Sequence, residues 1–124
     1  MENVCEKLQE IIKKHGFKIM RVKEDDNICL IDFRHPKIKV ETPEAYYGSA
    51  VQYDKKRKVL TTAVRSKVEG FKELYLDYCC EKENGECLQM CRPHVHMDFK
   101  TLSVEATFFK DPVKKFDRLL EEMR

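Results

Sequence analysis

The stretch FKELYLDYCCEKENGECLQMCRPHVHMDF, residues 71–99, holds two extended runs joined at Glu83-Asn84-Gly85-Glu86. Asn and Gly both tolerate positive φ, so an Asn-Gly pair between such runs favours a two-residue type I′ turn and fixes the pairing of the two arms. Glu83 then faces Glu86, Tyr78 faces Cys91 and Glu73 faces His96. Side chains alternate across a strand, so one face carries Leu74, Leu76, Tyr78 and Cys80 with Cys87, Cys91, Val95, Met97 and Phe99. The other carries Glu73, Tyr75, Asp77 and Cys79 with His94, His96 and Asp98. The first set belongs in a core; the second faces outward.

On the N-terminal side, Asn3 to His15 reads as a helix. Asn3 can cap, Glu6 stands three residues on as in a capping box, and Gly16 follows Lys13, Lys14 and His15 as a C′ residue. Its apolar stripe is Val4, Cys5, Leu8, Ile11 and Ile12, which places Cys5 in the core and leaves His15 to interact with the helix C-terminus. Phe17 to Glu24 and Asn27 to His35 read as strands around a turn at Asp25-Asp26, and the apolar run Ile28 to Phe33 predicts a central strand with Cys29 as packing. Lys37 to Glu41 alternates as another strand after Pro36. Residues 43–53 combine a helix-start signal at Thr42-Pro43-Glu44 with strand-forming Tyr46, Tyr47, Val51 and Tyr53, and read as a strand, preceded at most by a helical turn.

Val59 to Ser66 predicts a strand entered through an exposed turn at Lys55 to Lys58. Leu102, Val104, Ala106 and Phe108 alternate in a last half-buried strand. Asp111-Pro112 then opens a helix with Asp as N-cap, whose inward face is Val113, Phe116, Leu119, Leu120 and Met123. The expected fold is α+β: residues 1–124 as one domain, with an antiparallel meander sheet of six or seven strands and both terminal helices packed on one face.

Composition narrows the setting. The chain has 124 residues, 37% of them charged, yet its net charge is only +2, which gives no global field for nucleic acid or an acidic membrane. The longest apolar run, Ile28 to Ile31, is far shorter than the roughly 20 residues of a membrane span, and the N-terminus is acidic, which points to a cytoplasmic protein. Dense Lys and Glu with few Asn and Gln resembles the composition of thermophile proteins. In that setting intracellular disulfides become admissible, so the six cysteines are open to more than one reading.

Three readings compete for Cys80, Cys87 and Cys91: inert core thiols, a disulfide from Cys80 to a neighbour, or zinc thiolates, since Cys87-x3-Cys91 has zinc-knuckle spacing. The pairing places these thiols opposite the two imidazoles. A bulge at Arg92-Pro93 would bring them together but would expel Val95, Met97 and Phe99, each worth about 1.5–3 kcal/mol when buried.

His94, His96 and Asp98 stand in a row on one side of a strand with Glu73 across from His96. These residue types suit Zn²⁺ or Fe²⁺, and equally an acid–base pair. His94-x-His96-x-Asp98 resembles, over five residues, the opening of the metal-binding motif of the metallo-β-lactamase hydrolases. The next histidine of that motif is Phe99 here, and 124 residues are too few for that fold.

No serine has a nucleophile elbow, and Cys79 is the one thiol placed among polar neighbours. The sequence therefore points to a non-enzymatic binding or interaction domain. Its open sheet face, around Glu73, Tyr75, His94, His96 and Asp98, would receive a small ligand, a zinc ion or a protein partner. A small metal-dependent hydrolase, with His94, His96 and Asp98 as ligands and Glu73 as base, is the alternative from a different class. A nucleic-acid accessory protein using the basic ribbon Lys55 to Lys67 is the third.

Overall fold

A computed structural model describes residues 3–36, 48–66, 82–83, 86–87, 94–95 and 102–124, with the backbone alone at 66, 82–83, 86–87, 94–95 and 102–104. Helix α1 (Val4–Lys14) begins where Asn3 Oδ1 accepts the Glu6 amide at 3.2 Å and ends at Gly16, whose φ of 82° lets the chain leave the helix without Cβ strain. Strands β1 (Lys18–Glu24), β2 (Ile28–Arg34), β3 (Ser49–Asp54) and β4 (Val59–Ser66) follow as a meander. Short strands β5 (Lys82–Glu83), β6 (Glu86–Cys87) and β7 (His94–Val95) precede β8 (Leu102–Phe108) and helix α2 (Pro112–Met123).

The fold is α+β, an open antiparallel sheet with an N-terminal and a C-terminal helix. Five full-length strands lie in the order β1-β2-β3-β4-β8, and the two-residue β7 pairs with β8 through His94–Ser103 and Val95–Leu102. The strand expected at Lys37 to Glu41 and the N-terminal part of 43–53 lie outside the described residues.

The Asn84-Gly85 turn is supported at its root, since Glu83 pairs with Glu86 and Lys82 with Cys87. The rest of that hairpin, 71–81, 88–93 and 96–99, lies outside the described residues. β5 and β6 pair with each other as a separate ladder, and the described sheet is centred on β2, β3 and β4. Turn chemistry fixes which residues of a hairpin face each other; it does not decide which sheet the hairpin joins.

The core lies on one sheet face. Cys29, Ile31 and Phe33 of β2, Val51 and Tyr53 of β3, Leu60 and Val64 of β4, and Ala106 and Phe108 of β8 pack against Cys5, Leu8, Ile11 and Ile12 of α1 and Phe116, Leu119, Leu120 and Met123 of α2. Phe33 sits edge-on to Phe17 at 5.6 Å and to Phe116 at 6.0 Å, tying both chain ends to β2. Expected as a central strand, β2 lies between β1 and β3, and its residues alternate between fully buried and half-buried positions.

Cys5 and Cys29 are joined in a disulfide with both residues wholly buried. Their placement in the core was legible; their pairing was not, because a helix stripe and a strand face do not reveal where the two elements cross. The bridge pins α1 to β2 and closes a 24-residue separation.

The two turns at the far end of the meander brace each other. Asp25 accepts the amides of Asn27 and Ile28 at 2.7 and 2.8 Å, and Asp54 accepts those of Lys56 and Arg57, both at 3.0 Å. Bonds from Ile28 and Asn27 to its ionised form hold the Asp25 carboxyl below the usual range. Lys55, expected as a solvated tip residue, instead donates its ammonium to Glu24 at 2.8 Å and to the Asp25 carbonyl at 2.6 Å. That contact removes Lys55 from any free basic ribbon, and Lys67 lies outside the described residues.

A third brace joins the helices. His15, 5% exposed at the end of α1, turns away from the helix carbonyls; its Nε2 is 2.6 Å from Asp117 Oδ1. Its Nδ1 lies 3.0 Å from Glu121 Oε2, within ion-pair range though without the alignment of a hydrogen bond. Lys14 Nζ reaches the other Asp117 oxygen at 2.8 Å. Nearby, the buried His35 donates Nε2–H to the Met123 carbonyl at 2.7 Å; a carbonyl only accepts, so that nitrogen carries the proton.

Two predictions follow from these braces. Peptide mapping without reductant should recover the Cys5 and Cys29 peptides cross-linked. The double variant Cys5→Ala plus Cys29→Ala should lose about 3–4 kcal/mol and roughly 10 °C of Tm, read by thermal unfolding. Partial burial pushes the Asp117 carboxyl up, but hydrogen bonds from Lys14 and His15 outweigh this and hold it below its ordinary value. A depressed folded-state pKa adds stability that is present above the unfolded value and lost as pH falls through the folded one. Asp117→Asn should therefore flatten the acid limb of the stability profile below about pH 4 and be less stable than the parent at neutral pH.

Candidate functional site

With α1 and α2 on one side, no described helix lies against the opposite sheet face. Pairing aligns its residues in cross-strand rows: Leu30, Gln52, Thr61 and Thr107 in one, and Asp32, Ala50, Ala63 and Glu105 in the next. Ala50 and Ala63 are direct partners, so the two smallest side chains of the face lie side by side at its centre. A depression of about 460 Å³ opens over them, walled by Leu30, Gln52, Thr61, Glu105 and Thr107.

The depression follows from sequence alternation. Strands β3 and β4 spend their large apolar residues on the helix side, Val51 and Tyr53 in β3, Leu60 and Val64 in β4, and leave Ala, Gln and Thr outward. The walls are held by buried polar contacts from the other side: Thr62 donates its hydroxyl to the Ala50 carbonyl at 2.7 Å, and Ser49 Oγ accepts the Arg65 amide at 2.8 Å. At the β1 margin Arg21 Nε meets Asp32 Oδ2 at 3.1 Å, an exposed pair worth less than about 1 kcal/mol. The floor is apolar, the rim offers amide and hydroxyl groups, and the acidic Glu105 closes one end.

Of the site residues expected from sequence, Glu73, Tyr75, His96 and Asp98, with Cys79, Cys80 and Cys91, lie outside the described residues. His94 is described by its backbone, next to Ser103 on β8 at the margin of the same sheet, and Cys87 by its backbone in β6. Among the described residues no group of three His, Cys, Asp or Glu side chains is placed to hold a metal ion. Nor is any helix among them long and apolar enough to cross a membrane.

Sequence reading missed the Ala50–Ala63 trough. The signal was present in Leu60-Thr61-Thr62-Ala63-Val64, whose outward members are small, but small outward residues also mark an ordinary solvated strand. Comparison of the chain with family models, curated proteins and solved structures returns no match.

The walls should be sensitive to their polar braces. Ser49 is 3% exposed, and Ser49→Ala strips the Arg65 amide of its acceptor. The variant should lose about 1–3 kcal/mol in urea unfolding with an unchanged m-value.

Proposed function

We propose that this chain is a non-enzymatic binding domain that receives a small ligand or a partner's side chains on its open sheet face. The observation that carries the reading is the trough over Ala50 and Ala63, a concave surface with an apolar floor and hydrogen-bonding rim groups. Such a combination suits recognition: apolar area supplies affinity, and a few directed polar groups set orientation. The face around Glu73, Tyr75, His94, His96 and Asp98 is proposed as its continuation past β8, where β7 brings the His94 backbone alongside Ser103.

The test is a fragment screen of the ¹⁵N-labelled protein by NMR, comparing the parent with Ala63→Arg. That substitution fills the trough from an outward position and leaves the core side untouched. Shift changes should cluster on Leu30, Ala50, Gln52, Thr61 and Thr107 in the parent and disappear in the variant. Hits scattered over the surface, or the same hits in both proteins, would sink the reading.

A further inference from the structure

A second concavity lies on the helix side of the sheet, between α1, the start of α2 and the turn joining β3 to β4, with a volume of about 770 Å³. It is separate from the open face. Three features of this cleft converge on one chemistry.

Helix α2 starts without a cap. Asp111 occupies the N-cap position with φ 45°, outside the extended geometry a capping side chain needs, and makes no side-chain bond to the helix. The expected Asp cap is thus absent: Pro112 takes the first helical position, and Asp111 turns in the left-handed region to reach it. The first intrahelical bond is Lys115 N–H to the Asp111 carbonyl, which leaves the Val113 and Lys114 amides without an acceptor among the described residues at the positive end of the helix.

Tyr53 lines the same cleft. It is 7% exposed, and its hydroxyl has no hydrogen-bond partner among the described residues; the oxygen reaches solvent at the cleft, where its O–H can be donated to a ligand in place of water. Burial, with the neighbouring Asp54 charge, pushes its pKa up, keeping it a proton donor at neutral pH.

The charged lining is four lysines against three carboxylates, so bulk charge does not select the ligand. Asp117 is engaged by Lys14 and His15, whereas the exposed Lys58 and Lys114 carry no ion pair among the described residues. Lys58 is the other non-glycine residue at positive φ, and it shares the rim with Asp111. Beside these donors Phe109, 44% exposed, offers an uncovered aromatic ring.

We propose that this cleft binds an organic phosphomonoester, its phosphate held by the Val113 and Lys114 amides, the Tyr53 hydroxyl and the Lys58 and Lys114 ammonium groups, and its apolar part laid on Phe109. Donors that approach from a helix end, a sheet and a turn suit the three terminal oxygens of a tetrahedral phosphate better than the two oxygens of a planar carboxylate. Glu10 and Asp111 on the rim disfavour a bare, diffusely held anion and leave the directed donors to discriminate.

The full-length chain, with its disulfide intact, is titrated with phenyl phosphate at millimolar concentrations by ¹⁵N NMR, alongside inorganic phosphate, benzoate and phenol. The Val113 and Lys114 amides should shift saturably, with phenyl phosphate tighter than the other three. Tyr53→Phe should weaken binding about tenfold at unchanged Tm. Lys114→Gln, an exposed substitution that spares the fold, should also weaken it, and Ala63→Arg on the opposite face should leave it intact. No saturable shift at those two amides, equal affinity for benzoate, or an unaltered Tyr53→Phe would overturn the proposal. So would sedimentation with phosphatidic acid vesicles in the absence of phenyl phosphate binding, which would assign the donors to a membrane surface.

Discussion

Everything in the described part of this structure depends on how much sheet α1 and α2 cover. Five strands about 4.8 Å apart make a sheet roughly 20–25 Å wide, and two helices about 10 Å across cover most of that width. The face toward the helices is buried along β2, β3, β4 and β8 while β1 stays largely exposed, and no described helix lies on the other face. The alternation of the strands matches this division: Phe33, Val51, Leu60 and Phe108 point to the helices, while Gln52 and Thr61 point away. The disulfide from Cys5 to Cys29 and the clasp from His15 to Asp117 hold the helices where that coverage is needed, one at each side of the same core.

The braces are chemically diverse, and each carries its own dependence on conditions. The disulfide is sensitive to reductant yet wholly buried, so reduction requires opening of the α1–β2 contact. The helix clasp rests on an ionised Asp117 and weakens in acid. The turn-to-turn contact made by Lys55 adds a surface ion pair, which salt screens. A small sheet packed on one layer of helices has little core to spare, and distributing the restraints over redox, charge and hydrogen bonding keeps any single condition from releasing all of them.

Much of the fold was readable because the signals were local. Asn3, Glu6 and Gly16 bound α1; Asp25 and Asp54 mark the turns; and period-two runs such as Val59 to Ser66 gave the strands. The exceptions involve long-range geometry. Six cysteines admit fifteen complete pairings, and the sequence drew attention to Cys80, Cys87 and Cys91 through their spacing, while Cys5 and Cys29 looked like ordinary core residues. Lys55 read as a solvated charge because its partners, Glu24 and Asp25, belong to another turn. The Ala50–Ala63 trough was invisible for the same reason: it exists only once β3 and β4 are in register. Asp111 shows the converse, a strong local cap signal that the helix does not use, since a φ of 45° takes the residue out of the extended geometry a capping side chain needs.

The central claim is that the helices cover one face of the sheet while the trough over Ala50 and Ala63 on the other is open to solvent, and solvent paramagnetic relaxation tests it most directly. A soluble gadolinium chelate added to methyl-labelled protein should broaden the methyls of Thr61, Ala63 and Thr107 strongly and leave those of Ile31, Val51 and Leu60 nearly unaffected. Equal protection of both sets would contradict the account, because it would mean that the face assigned to binding is already buried.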